Sequence, residues 1–191
     1  MRSATSNRNP GFLLLALMVG CGSQSMVEVA APLPNLPRTG DAMVVFIQPS
    51  SYAQEEYFPI FDHTGRFLGD SEPVTWFAVE LPPGAYEFYS AAQNTAAVRA
   101  TLAADRTYFV EVASRPGFFK MRAQLLPIAP RFSSWDERET WLAETQAQRA
   151  AYASTLDPED IADLVAAGHE NLADYTPEEL ARRTLLASDG I

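Results

Sequence analysis

Thr75-Trp76-Phe77-Ala78-Val79-Glu80-Leu81, then Pro82-Pro83-Gly84, then Ala85-Tyr86-Glu87-Phe88-Tyr89-Ser90-Ala91: this stretch decides the fold. The first seven residues are mostly β-branched, aromatic or apolar, the side chains that fit a pleated, half-buried surface. Two prolines without N–H groups and a glycine close the run, a strong turn signal. The chain then resumes with period two: Tyr86 and Phe88 on one face, Glu87 and Tyr89 on the other.

The same grammar extends in both directions. Residues 107–113 and 118–126 form a pair of runs around Ser114-Arg115-Pro116-Gly117, with Tyr108, Val110 and Val112 sharing one face. Upstream, residues 43–47 read as a buried strand closed by Gln48-Pro49, and 57–61 and 66–68 flank Asp62-His63-Thr64-Gly65, a hairpin with glycine available for positive φ. A shorter strand falls near 98–102. Runs cut by turns at this spacing predict a β-rich chain, α+β overall, with an antiparallel β-sandwich of about seven to eight strands. The predicted core faces are those of Tyr86 and Phe88 and of Tyr108, Val110 and Val112. Tyr89 and Phe109 then fall on outer faces, where something must cover them.

Val79-Glu80-Leu81-Pro82-Pro83-Gly84-Ala85-Tyr86-Glu87-Phe88, with Ala104-Asp105-Arg106-Thr107-Tyr108-Phe109-Val110-Glu111-Val112 some way downstream, resembles a type of small β-sandwich domain found in bacterial envelope lipoproteins. The likeness covers residues 42–128 and is a pattern of turns and aromatics. Asp105-Arg106 stands where glycine and lysine are common, and the early hairpin lacks the usual Asp-Gly pair. The resemblance implies a fold and a location and brings no active site with it.

The amino terminus agrees. Arg2 and Arg8 precede an apolar run at 11–20, which ends at Cys21, the single cysteine. A basic start, an apolar run of about 7–15 residues and a small residue before the cut define a secretory signal. The run is shorter than the roughly 20 residues that span a bilayer. Met18-Val19-Gly20-Cys21 resembles the lipobox of bacterial lipoproteins, with Met18 where leucine is usual. That resemblance implies cleavage after residue 20, lipid on the Cys21 thiol, and anchorage by acyl chains at about 0.8 kcal/mol per buried methylene. Gly22 after the cysteine, rather than aspartate, implies the outer membrane, with the protein facing the periplasm.

Residues 1–20 are thus expected to be a signal peptide and 21–41 a lipidated tether. Pro32, Pro34 and Pro37 stiffen the tether, whose nineteen residues after Cys21 reach roughly 60 Å when extended. The sandwich is expected over 42–132, followed by an acidic extension of two to three helices over 133–191. The charge supports the last boundary: 41–132 carry ten acids and seven bases, whereas 133–191 carry thirteen acids and four bases. In the extension, a helix is expected over 135–153 with Ser134 and Glu137 as a capping box, and Trp135 and Trp141 packing on the face of Tyr89 and Phe109. A second helix starts at Asp157-Pro158 and stops at Gly168, and a third starts at Thr176-Pro177.

Chemistry is sparse. The formal charge of −10 argues against nucleic acid, whose phosphates demand Lys and Arg, and against adsorption to anionic lipid by charge. His63 and His169, the two histidines, read as a turn residue and a helix-end residue in solvent. No metal-ligand spacing, phosphate loop, nucleophile elbow or His-Glu-x-x-His occurs, so no cofactor is expected and the protein is read as a non-enzyme. The expected role is an envelope interaction or structural module held by lipid on Cys21 and contacting another protein. Phe118-Phe119, directly after a Pro-Gly turn, is the leading contact point, with Trp76 beside it. A glycan or small-ligand module, with Tyr57 and Trp76 adding stacking surface, is the alternative, and a hydrolase built on paired carboxylates comes third.

Overall fold

The computed structural model describes residues 25–30, 37–52 and 56–191. The signal peptide and Cys21 lie outside the described residues. Among the described residues eleven strands and three α-helices follow one another: β1 (Met26–Glu28), β2 (Ala42–Gln48), β3 (Phe58–Asp62), β4 (Phe67–Ser71), β5 (Thr75–Leu81), β6 (Gly84–Ala91), β7 (Thr95–Leu102), β8 (Thr107–Pro116), β9 (Met121–Ile128), α1 (Ser134–Glu144), β10 (Gln146–Ala150), α2 (Pro158–Asp174), α3 (Pro177–Arg182) and β11 (Thr184–Leu185). One sheet has the order β1-β10-β5-β2-β8-β9 and the other β11-β7-β6-β3-β4.

The sandwich is β-rich as expected, but its sheets are mixed. β2 and β8 run parallel, as do β10 and β5, and β11 and β7. The reason is topological. After β2 the chain makes a hairpin in the second sheet, returns as β5 on one side of β2, makes another hairpin, and comes back as β8 along the other side. Strand number exceeds the expectation because β1, β10 and β11 come from segments read as tether and helical tail.

β2 shows why the core is thick. All seven of its residues are buried. Val44 and Phe46 point between the sheets, with Phe77, Phe88, Tyr108, Val110 and Val112. Met43, Val45 and Ile47 point outward, where α1 covers them through Leu142, Trp135 and Trp141. A strand buried on both faces reads as a continuous apolar run, which 43–47 is. On the other side α2 covers Phe61, Tyr89 and Ala97 with Leu164 and Leu172. Each of those leucines contributes about 1.5–3 kcal/mol by leaving water.

The tail therefore does cover the outer aromatics, but with different elements for each. Trp135 meets Phe109 edge-on at 6.3 Å between ring centroids. Tyr89 belongs to the opposite sheet and lies under α2. The long helix expected over 135–153 is also revised. It ends at Glu144, and 146–150 run as β10 beside β5. The edge of β5 offers unpaired backbone groups, and pairing there satisfies them. Ser133, not Ser134, caps α1, and without a side-chain hydrogen bond.

Gly168 does not stop α2, which continues to Asp174. A Cβ on Gly168 would lie 2.2 Å from Cδ1 of Tyr89, so the glycine lets the helix approach that ring. The third helix starts as expected: Thr176 and Glu179 form a reciprocal capping box. The tether, too, is partly structured. Met26 is buried between the sheets, and the Asp70 amide donates to its sulfur at 3.2 Å. Arg38 donates to Glu80 at 2.6 Å, and the Gly40 amide to Asp105 at 2.8 Å. Among the described residues no helix is long and apolar enough to cross a membrane.

Candidate functional site

Two places stand out, a hairpin tip and a cavity. The tip joins β8 to β9, which pair from Phe109↔Ile128 to Pro116↔Met121 and leave 117–120 as the loop. Gly117 is required there, because a Cβ would lie 1.9 Å from the Gln93 Oε1 and 2.1 Å from the Lys120 carbonyl. The same Oε1 accepts a hydrogen bond from the Phe118 amide at 2.8 Å, so the loop is pinned to the neighbouring β6–β7 turn. Phe118 and Phe119 pack edge-on at 4.6 Å between centroids, yet each remains 86% exposed. Arg115, Lys120 and Arg122, all exposed, lie within three residues of the pair along the hairpin. Beside the tip lies a hollow of about 280 Å³ lined by Tyr57, Gln93, Lys120, Met121 and Leu156, among others. Trp76 does not join this surface. It is 5% exposed beneath α1 and packs with Leu142 and Ala147.

The cavity, of about 410 Å³, lies between α2 and the second sheet. Register places Glu87 on β6 opposite Arg99 on β7, and period two turns both outward. Arg99 donates to Glu87 Oε1 from Nε at 3.2 Å and from Nη2 at 2.9 Å. The Tyr89 hydroxyl, two residues along the same face, donates to Oε2 at 2.5 Å. The close approach at Gly168 brings the next residue, His169, over the sheet, where its Nδ1 lies 2.9 Å from Oε2. His63, from the β3–β4 hairpin, stands edge-on to Tyr86 at 5.5 Å and lines the same cavity.

The electrostatics follow from these contacts. The Glu87 side chain is 16% exposed. Burial pushes its carboxyl up, but hydrogen bonds from Tyr89, His169 and Arg99, with the guanidinium charge, outweigh that and hold it below the ordinary value. Burial, and then the adjoining carboxylate, keeps the Tyr89 phenol well above the usual tyrosine range. Glu87 is thus an ionised hub that orients a cation, a phenol and an imidazole. Among the described residues, no group of three or more His, Cys, Asp and Glu side chains is arranged to hold a metal ion.

Sequence reasoning separated what the fold brings together. It placed Glu87 in water, where the fold largely buries it, and had no register with which to pair Glu87 with Arg99; both histidines are exposed, as expected, but line one cavity. One signal was present: a glycine inside a helical pattern, next to a histidine, marks close approach of another element.

No family model, curated protein or solved structure matches the chain.

Proposed function

We propose that the chain is a lipid-anchored protein of the bacterial envelope, held at the outer membrane through Cys21, and that it acts as a non-enzymatic module contacting another protein through the β8–β9 tip. The observation that carries the contact surface is the exposed Phe118-Phe119 pair on a hairpin whose base is rigidly paired. Monomeric surfaces seldom hold two adjacent, almost fully exposed phenylalanines without a use for them. Aromatic anchors backed by arginine are what protein interfaces concentrate. The basic collar, in a chain of formal charge −10, selects a partner surface carrying acids. The hollow beside the tip offers a complementary recess for a side chain of that partner.

The test is photo-cross-linking in intact cells from a reactive residue placed at Phe118. One reproducible protein partner is expected, and Phe119→Ala should reduce the yield by about tenfold, the weight of a modest hot-spot residue. Cross-links spread over abundant envelope proteins, or no cross-link, would sink the contact assignment. The anchor is tested separately. Cys21→Ala should move the protein into a soluble fraction, and unchanged membrane retention would remove the lipid claim without touching the tip.

A further inference from the structure

We propose that the cavity between α2 and the second sheet binds a small organic oxyanion, with its charged group at Arg99 and His63, beside His169, and its apolar body against Tyr86 and Val165. This goes beyond the tip reading and does not depend on it. Rare residues coincide at this cavity. The chain has two histidines, more than a hundred positions apart, and both line one cavity with Arg99. The cavity volume of about 410 Å³ lies in the range that accommodates small ligands, roughly 300–1,000 Å³.

The donor inventory agrees. Both oxygens of Glu87 are occupied by Arg99, Tyr89 and His169. The Tyr86 hydroxyl donates to the Pro82 carbonyl. The site's obvious acceptor is therefore spent, and what remains is donor capacity. A guanidinium carries five N–H groups, and the contacts to Glu87 engage its Nε and Nη2 positions, leaving Nη1 free of any partner among the described residues. Neither ring nitrogen of His63 makes a hydrogen bond among the described residues, so its one N–H is free for a ligand, whereas His169 already spends Nδ1 on Glu87. Glu87 and Arg99 cancel in charge, so recognition rests on the free N–H groups in contact rather than on net charge. Ala85, Tyr86 and Val165 supply the apolar wall. A ligand that fits is rich in acceptors at one end and flat and apolar at the other, such as an aromatic carboxylate or an aryl phosphate. The overall negative charge opposes anions at long range, but salt screens it beyond about 8 Å while the local donors act in contact.

Having two histidines makes the test direct. In the full chain in micelles of a neutral detergent, the two sets of imidazole signals are followed by NMR while sodium benzoate, inorganic phosphate or neutral benzyl alcohol is added. Benzoate should shift both sets along one saturating curve, and benzyl alcohol should not. Saturation with phosphate as well would place the recognition in the oxyanion; saturation with benzoate alone would place it in the carboxylate with its ring. Arg99→Gln should weaken binding by about tenfold or more, the scale of one charge-assisted contact. Arg99 also braces Glu87, so His63→Gln, which breaks no hydrogen bond among the described residues, serves as second variant. It should weaken benzoate binding about threefold while the His169 signals still saturate. Shifts that fail to saturate, that are unaffected by both variants, or that benzyl alcohol reproduces would overturn the proposal and leave the cluster as a latch holding α2 to the sheet.

Discussion

At the scale of single residues, two positions carry consequences that composition hides. Gly168 lies inside a helix, where replacing glycine by alanine ordinarily stabilises by about 1 kcal/mol. Here the added Cβ would meet Cδ1 of Tyr89 at 2.2 Å, with further ring atoms at 2.5 and 2.8 Å. Steric conflict of that kind typically costs about 1–3 kcal/mol, so it outweighs propensity and Gly168→Ala should lower the urea midpoint. A raised midpoint would mean that the ring moves aside freely. Glu87 gives a prediction in pH. Its carboxyl is held below the ordinary value, so between that depressed value and about 4.3 the native state binds fewer protons than the unfolded chain. The stabilisation is fully present above that window and is lost as pH falls through the folded value. The stability gap between the parent and Glu87→Gln should therefore be widest near neutrality and shrink on acidification to pH 3. A gap that stays constant would show that the carboxylate charge is not its source.

At the scale of elements, legibility depended on whether a segment's pattern was settled locally or by a neighbour. The β5–turn–β6 stretch was readable because alternation, prolines and glycine all agree, and α3 because its capping box is contained within four residues. Residues 146–150 were not. Gln-Ala-Gln-Arg-Ala fits a continuing helix, and only the free edge of β5 makes it a strand. β1 is the same case in a stiff, proline-bearing segment, and its short Met26–Glu28 run pairs with β10. The site was less legible than the fold, since Phe118-Phe119 needs only a turn to be exposed whereas Glu87, Arg99, His63 and His169 need β6, β7, the β3–β4 hairpin and α2 in register. β1 supplies the test at this scale. Met26 is 7% exposed in the inter-sheet core, so Met26→Ala should cost about 2–5 kcal/mol. The loss should appear first in hydrogen exchange at the amides that join β1 to β10, Val29 to Ala147 and Ala151 to Ser25, while β2 amides stay protected. Uniform loss across both sheets would instead make β1 part of one cooperative unit with β2.

At the scale of the whole molecule, the docking of β1 sets how far the sandwich would stand from the proposed lipid anchor. Read from sequence, nineteen residues of tether after Cys21 hold the sandwich as far as roughly 60 Å from the anchor. Among the described residues the first tied one is Ser25, whose hydroxyl donates to the Ala153 carbonyl at 3.3 Å. Ser25 is four residues beyond Cys21, a span of about 14 Å at full extension. On the proposed lipid anchor, that span would hold the domain against the headgroups, and the proposed partner would be met beside the membrane. Neutron reflectometry of the lipidated chain on a supported bilayer should show protein density beginning at the headgroups. Twelve Gly/Ser residues inserted between Cys21 and Ser25 should raise the layer by a mean of about 20 Å, the span of a flexible linker of that length. If the parent already stands some 40 Å clear, β1 is undocked at the membrane and the long tether operates. If the insertion changes nothing, contacts other than the lipid fix the height, and the exposed β8–β9 tip becomes the first place to look for them.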